Sequence, residues 1–296
     1  MIWADYFESY KNFLLLEKSL SENTIDAYLK DIQKFVDFSK IDNPTNVKQS
    51  DIRAFIDDMN DVKRMSVNSQ ARILSGIKSF FKYLLVHDIL DNDPSAMIET
   101  PKIGRKLPSV LTPEEVNDLI NAVDLDSETG YRNRAILETL YGCGMRVSEL
   151  VHLRMTDVHY DEGYMKIKGK GDRERLVPIG RSVKDSIILY VQNYRCHLKI
   201  DKKDENTLFL NRRGKMMTRV MVFTIIKNLA KSIGLKKKIS PHTFRHSFAT
   251  QLLEGGADLK AIQEMLGHES ITTTEVYTHL DKEYLRDTIQ RFHPRS

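Results

Sequence analysis

Between Ser240 and Leu280 the chain reads SPHTFRHSFATQLLEGGADLKAIQEMLGHESITTTEVYTHL, which gathers His242, Arg245, His246, His268, Tyr277 and His279 into one segment. A core needs few titratable side chains, so this concentration points to chemistry, either a metal site or a site that handles a phosphate. His242 and His246 have the i, i+4 spacing of two zinc ligands. Between them, however, stand Thr-Phe-Arg, without the glutamate base of an H-E-x-x-H helix, and Arg245 would repel a cation from the same helix. The phosphate reading is the stronger one, because an arginine is permanently charged and its rigid fork matches phosphate oxygens. Ser240 before Pro241 suits an N-cap, so His242 and Arg245 would lie near a helix N-terminus, where free N–H groups favour an anion.

Two further stretches supply cations. In GCGMRVSEL, Arg146 follows a glycine-flexed turn at the start of a helical run, with Glu149 placed to orient it. Standing alone, that motif would be better explained by a structural ion pair. The tip of a β-hairpin offers Lys168, Lys170, Arg173 and Arg175, although charged hairpin tips are ordinarily solvated. Cys143, in YGCGM, reads as a small packing residue and not as a nucleophile. The combined inventory is two arginines, two histidines, a lysine and several tyrosines, with no acidic cluster for magnesium and no Gly-rich P-loop. It fits a metal-free attack on a phosphodiester. Guanidinium groups would stabilise the transition-state charge, a histidine would take the nucleophile's proton, and a lysine would protonate the leaving oxygen. Composition alone does not choose Tyr277 among 12 tyrosines, nor Lys170 among its neighbours.

These groups must be positioned by the elements around them. Residues 1–99 read as helical throughout. Ile25, Tyr28, Leu29, Ile32, Phe35 and Val36 follow the i, i+3, i+4, i+7 rule, as do Ile52, Phe55, Ile56 and Met59, and then Leu74, Ile77, Phe81, Leu84 and Leu85. With an amphipathic opening helix this predicts four helices. Residues 100–111, TPKIGRKLPSVL, lack periodicity and carry Lys102, Arg105 and Lys106, as a linker crossing something anionic would. At Thr112 a capping box with proline at the first helical position restarts the chain, giving a second domain over 112–296. Helical patterns recur around Ala135–Tyr141, Val183–Tyr194 and Val220–Ile233. Apolar–polar alternation around Gly-Lys-Gly-Asp predicts a hairpin over Tyr164–Ile179, and Thr207–Leu210 would add a short third strand. The fold class is mainly α with a small β-sheet (α+β).

The 296 residues suit two domains, and 41% hydrophobic with 29% charged residues is ordinary for a globular chain. A net charge of +4 permits a polyanionic partner without requiring one. Two distant cysteines, Cys143 and Cys196, form no disulfide framework, so a reducing cytoplasm is the simplest setting. The start shows no signal-peptide pattern, and no apolar run reaches the ~18 residues of a membrane span.

The blocks GMRVSEL, KGKGDRERLVP and SPHTFRHSFATQLLEGGADLKAIQEMLGHESITTTEVYTH, in this order and spacing, resemble those of the tyrosine site-specific recombinases. Within that family the chain is most similar to the Xer-type recombinases that resolve chromosome dimers. The resemblance covers essentially the whole chain and implies a helical core-binding (SAM-like) domain, a linker and a catalytic domain closing as a C-shaped clamp on DNA. It implies that Arg146, Lys170, His242, Arg245 and His268 act with Tyr277 as nucleophile. His246 then becomes a packing residue and His279 a surface one.

What the resemblance implies further is a 3′-phosphotyrosyl intermediate formed without ATP, metal or other cofactor. The partners it implies are double-stranded DNA, a tetrameric synapse with the chain itself or a paralogous recombinase, and a septal DNA translocase, with no membrane role. Arg53, Lys63, Arg64, Arg72, Lys78 and the linker cations are candidate contacts to the DNA backbone. The tail Asp281–Ser296 is expected to dock on a neighbouring subunit, self-docking being the plainer option. A mobile-element integrase or invertase of the same superfamily, and a catalytically silent architectural DNA-binding protein, remain as alternatives.

Overall fold

The computed structural model describes residues 3–62, 64–101, 109–169, 173–267 and 279–295, with residues 279–282 described by their backbone alone. The chain divides into two compact units, Met1–Lys106 and Leu107–Ser296. Lys63, Lys102, Arg105 and Lys106, and the central part of the expected linker, lie outside the described residues.

The first unit contains the four expected helices, α1 (Trp3–Leu16), α2 (Glu22–Ser39), α3 (Gln49–Asp57) and α4 (Val67–Val86). A turn of π-helix, Asp58–Val62, extends α3. Their apolar stripes meet in an aromatic core of Trp3, Tyr10, Phe35, Phe55, Phe80 and Phe81. Trp3 stacks on Phe80 with ring centroids 5.7 Å apart and donates its indole N–H to the Ile41 carbonyl at 2.6 Å. One carboxylate is fully buried here: Asp31 on α2 accepts from Arg72 Nη2 on α4 at 2.9 Å, from Arg72 Nη1, and from Lys34 Nζ at 3.1 Å. The Arg72 side chain, expected to be a DNA-backbone contact, is thus engaged inside its own domain, although 49% of it stays exposed.

The second unit begins its regular structure at α5 (Pro113–Asn121). Thr112 Oγ1 caps this helix by accepting from the Glu115 N–H at 3.2 Å, and the Glu115 carboxylate accepts from the Thr112 N–H at 2.8 Å. Then follow α6 (Gly130–Gly142), α7 (Val147–His152), α8 (Arg181–Asn193), α9 (Arg219–Ser232), α10 (Pro241–Gly255), α11 (Leu259–Leu266) and α12 (His279–Phe292). The central helix α6 is buried nearly all round, with Ala135, Ile136, Leu137, Leu140 and Tyr141 in the core. Leu111 also belongs to that core, tied by its N–H to Ser247 Oγ at 2.8 Å and by its carbonyl to Gln251 Nε2 at 2.8 Å.

The expected hairpin is present as β2 (Tyr164–Lys168) and β3 (Glu174–Pro178), paired antiparallel with Ile167 opposite Arg175. The third strand, however, is β1 (Val158–His159), in the order β1-β2-β3. Thr207–Leu210, expected to fill that place, makes only isolated bridges, Arg154 to Thr207 and Leu210 to Met216. The reason is that its backbone groups are used elsewhere. Leu208 N–H donates to the Leu153 carbonyl at 2.8 Å, and the Tyr190 hydroxyl accepts from Leu210 N–H while donating to the Leu208 carbonyl.

In the single chain α12 docks on its own domain, the self-docked alternative for the tail. Leu285 and Ile289 join Phe248, Leu252, Ala261, Ile262 and Met265 in a separate apolar cluster. Beyond the helix, His293 packs against Tyr141 and Phe248, with ring centroids 4.8 and 5.3 Å away. Arg295 then forks onto the buried Glu138, with Nε to Oε2 at 2.8 Å and Nη2 on the other oxygen, and also reaches Asn117. Amphipathicity says that a helix needs a partner surface without saying whose, and here α10 and α11 provide it.

Candidate active site

Three of the six candidate residues fall within the described residues, and two of those three meet at one buried carboxylate. Lys170, His268 and Tyr277 lie outside the described residues. The meeting point begins at the glycine turn. Gly144 takes φ of +56°, and a Cβ there would lie 2.5 Å from the Phe248 ring, so only glycine fits between turn and α10. The turn delivers Arg146 as the N-cap of α7, where its N–H donates to Glu149 Oε2 at 2.8 Å in a capping box. Glu149, three residues on, accepts as expected from the Arg146 side chain as well, Nη1 to Oε1 at 2.9 Å.

Glu149 also serves two other arginines. Arg175, on β3, donates Nη1 to Oε1 and Nη2 to Oε2, both at 2.8 Å, in the bidentate geometry that a carboxylate takes best from guanidinium. Arg245, on the second turn of α10, places Nη1 3.9 Å from Oε2, donates Nη1 to the Gly144 carbonyl at 2.9 Å and Nη2 to the Leu266 carbonyl at 2.5 Å. Arg146 Nη2 meanwhile reaches the Gly267 carbonyl at 3.3 Å. Arg175 and Arg245 are buried, whereas the Arg146 side chain is 42% exposed.

The electrostatics follow from three guanidinium groups around one carboxylate. Burial alone would raise the pKa of Glu149, but the hydrogen bonds and charge of Arg175, then those of Arg146, hold it below the ordinary carboxylate range. The pKa of Arg245 drops to about 10, first through desolvation and then through the repulsion of the neighbouring Arg146. An anion placed against the open side of Arg146 would relieve that repulsion.

His242 stands exposed in the first turn of α10, opened by Ser240 and Pro241, with Ser240 N–H donating to Thr243 Oγ1 at 3.1 Å. His246 is half-buried one turn later. Gly256, with φ of +100°, ends α10, and Gly267, with φ of +65°, ends α11 immediately before His268 in sequence. Cys143 is fully buried, and its thiol is pushed up to about 12 by desolvation, so the packing reading stands.

The sequence reading missed Arg175, which it grouped with the solvated cations of the hairpin tip. The structure corrects this, because Arg175 shares the inward face of β3 with Val177 and stands opposite the buried Ile167. Strand parity was the available signal: a residue two positions from an inward valine points inward too.

A helical domain, a mainly helical second domain with a three-stranded sheet, and an arginine cluster open on one side at Arg146 are the features against which known proteins compare. Residues 109–284 match the phage integrase family and residues 7–87 match the phage integrase N-terminal SAM-like domain. The chain belongs to the phage integrase family, the tyrosine recombinases, which cut and rejoin DNA in site-specific recombination. It is 40% identical over 296 residues to Tyrosine recombinase XerD of Listeria monocytogenes serotype 4b, covering 99% of each chain. It is 43% identical over 292 residues to Tyrosine recombinase XerD of Staphylococcus saprophyticus, covering 98% of each. Among solved structures, XerA recombinase aligns at 29% identity with TM-score 0.51, covering 99% of both chains. XerH recombinase bound to its palindromic difH substrate aligns at 26% identity with TM-score 0.67, covering 89% of this chain and 78% of that one. A lambda integrase dimer on a core site shares the fold at 18% identity and TM-score 0.71, over 93% of this chain and all of that one.

Proposed function

We propose that this chain exchanges DNA strands at a specific site through a 3′-phosphotyrosyl intermediate and resolves chromosome dimers at a terminus site during segregation. The observation that carries the reading is the arginine cluster on Glu149, where Arg146 keeps an open face beside the buried Arg245. In this reading Arg146 and Arg245 hold the nonbridging oxygens of the scissile phosphate, with a further hydrogen bond from His268. The Tyr277 oxygen attacks phosphorus, its proton passing towards His242. As the Tyr277–phosphorus bond forms, the bond from phosphorus to the 5′-oxygen breaks, and Lys170 gives that oxygen its proton. The 5′-hydroxyl of a partner strand then reverses these steps and releases the tyrosine. Each bond broken is matched by one formed, so no external energy source enters. A free tyrosine hydroxyl, with a pKa near about 10, needs such cationic company to react at neutral pH.

The domain roles are part of the proposal: residues 1–99 and the linker 100–111 grip duplex DNA while residues 112–296 carry the chemistry. Four protomers, of this chain alone or with a paralogous recombinase, would synapse two sites in the cytoplasm, with a septal DNA translocase as activator. A relative solved as a lambda integrase tetramer on a Holliday junction supports the assembly by fold alone. Among the described residues no helix is long and apolar enough to cross a membrane.

The test uses the duplex site that the full chain selects from a randomised pool, nicked so that a cleaved strand cannot religate. The wild type should yield a protease-sensitive protein–DNA adduct and Tyr277→Phe none. An adduct that survives Tyr277→Phe would move the nucleophile elsewhere. Specific binding with no adduct, even with a paralogous recombinase added, would favour the architectural alternative.

A further inference from the structure

We infer that Arg175 is a positioning residue for catalysis: it occupies Glu149 so that Arg146 stays open to the scissile phosphate, and it pins three separate segments of the site together. The inference rests on the proposed role of Arg146 and deepens it. The first segment is the neck of the hairpin, where Gly169 N–H donates to the Arg173 carbonyl at 2.7 Å. A Cβ built on Gly169 would lie 3.7 Å from Arg175 Nη1 and 3.8 Å from Glu149 Oε1, so the residue before Lys170 sits directly against the pair. The second segment is α7, reached through both oxygens of Glu149. The third is the end of α11, where Arg175 Nε donates to the Met265 carbonyl at 2.7 Å. There a Cβ on Gly267 would come within 3.0 Å of Arg175 Cδ. One side chain thus bonds the acid that holds Arg146 and the Met265 carbonyl at the end of α11, and lies beside Gly169 and Gly267, the residues that precede Lys170 and His268 in sequence.

The competition for Glu149 explains why the clamp matters. Glu149 Oε1 accepts from Arg146 Nη1 and Arg175 Nη1, and Oε2 accepts from Arg146 N–H and Arg175 Nη2. With Arg175 in the bidentate position, Arg146 holds the carboxylate through a single side-chain bond, reaches the Gly267 carbonyl with Nη2, and keeps 42% of its side chain exposed. Take the Arg175 fork away and a buried carboxylate is left short of donors. Arg146, already bonded to Oε1, would close on it with both Nη groups and spend its charge internally. Lysine at position 175 keeps a charge but has no fork and no Nε–H for Met265.

The experiment is a double-mutant cycle in full-length protein, read as the rate of covalent adduct formation on the nicked selected duplex. Arg175→Lys should slow adduct formation about 10- to 100-fold, the usual scale for losing a supporting hydrogen-bond partner behind a site. DNA affinity should change by no more than about 2-fold, the scatter of independent effects. Introduced into Arg146→Lys, where there is no arginine left to position, the same change should cost no more than about 2-fold. Full additivity of the two losses would overturn the inference, since a general weakening of the fold would multiply with the loss of Arg146. If Arg146→Lys alone leaves the rate unchanged, the phosphate role of Arg146 has failed, a result distinct from the first. Should Arg175→Lys not fold, Glu149→Gln replaces it in the cycle and must show the same non-additivity with Arg146→Lys; additivity there overturns the inference equally.

Discussion

Each of the two units buries a carboxylate between a cation three residues away in sequence and at least one more from a distant segment, and they do so to different ends. In the first unit Asp31 is shared by Arg72 and Lys34, whose side chains remain 49% and 47% exposed. Water can reach both cations, so the cluster is a staple between α2 and α4 beside an otherwise aromatic core. In the second unit Glu149 is met by Arg175 and Arg245, only 6% and 7% exposed, with Arg146 alone at 42%. Buried charge recurs there in Glu138 with Arg295, beside a buried His293 that is held neutral between Tyr141 and Phe248. Burying charge is a poor way to gain stability, since the desolvation cost is comparable with the attraction regained. The second unit accepts that cost at Glu149 and again at Glu138, and at Glu149 it keeps one of the three arginines, Arg146, partly open to solvent.

The sharpest way to break this contrast is to delete the two acids. Glu149→Ala strands three arginines and should destabilise the second unit by roughly 3–5 kcal/mol, the cost of breaking a buried ion pair. Urea unfolding with peptide-resolved hydrogen exchange would locate the loss, and an effect confined to the first unit or below about 1 kcal/mol would refute it. A pH scan comes next. Burial, followed by the charge of Arg295, depresses His293 from 6.5 to about 4, so the unfolded chain binds a proton that the folded one refuses. Stability should therefore be full above pH 6.5 and fall by about 3 kcal/mol as pH drops towards 4, a loss that His293→Phe should abolish in calorimetry. Glu149 acts below that window: its carboxyl is depressed from 4.5, so its contribution is present above pH 4.5 and disappears as pH falls through the lower folded value.

Asp31→Asn should cost less, about 1–2 kcal/mol, because Arg72 and Lys34 can rehydrate and the amide still accepts one hydrogen bond. The smallest effect is its salt dependence. Raising ionic strength from about 0.1 to about 1 M should shrink the Asp31→Asn penalty by a few tenths of a kcal/mol while leaving that of Glu149→Ala unchanged. Equal salt responses would show that the two clusters are solvated alike.

What the described residues show of the candidate site was legible where it depends on local geometry. A glycine turn before an arginine, and a glutamate three residues on, specify an N-cap and its box without reference to the rest of the fold, and Ser240-Pro241 does the same for α10. The helices of the first unit were readable from their period, and the hairpin from alternation around a Gly-Lys-Gly-Asp turn. What failed needed long-range information. Arg175 looks like a tip cation until its face is fixed by pairing with Ile167. Thr207–Leu210 has the apolar character of a strand, but Leu153 and the Tyr190 hydroxyl use its polar groups. The docking of α12 was open because an apolar stripe of Leu285 and Ile289 fits any complementary surface, and only tertiary packing selects α10 and α11.

The molecule carries one tryptophan, and it lies in the aromatic core of the first unit. Trp3 is 6% exposed and stacked on Phe80. Its indole emission should be blue-shifted in the native chain and should move to the red only when the first unit opens. Far-ultraviolet dichroism, in contrast, sums the helices of both units. Recording the two signals together on one unlabelled sample would separate the unfolding of the first unit from that of the second.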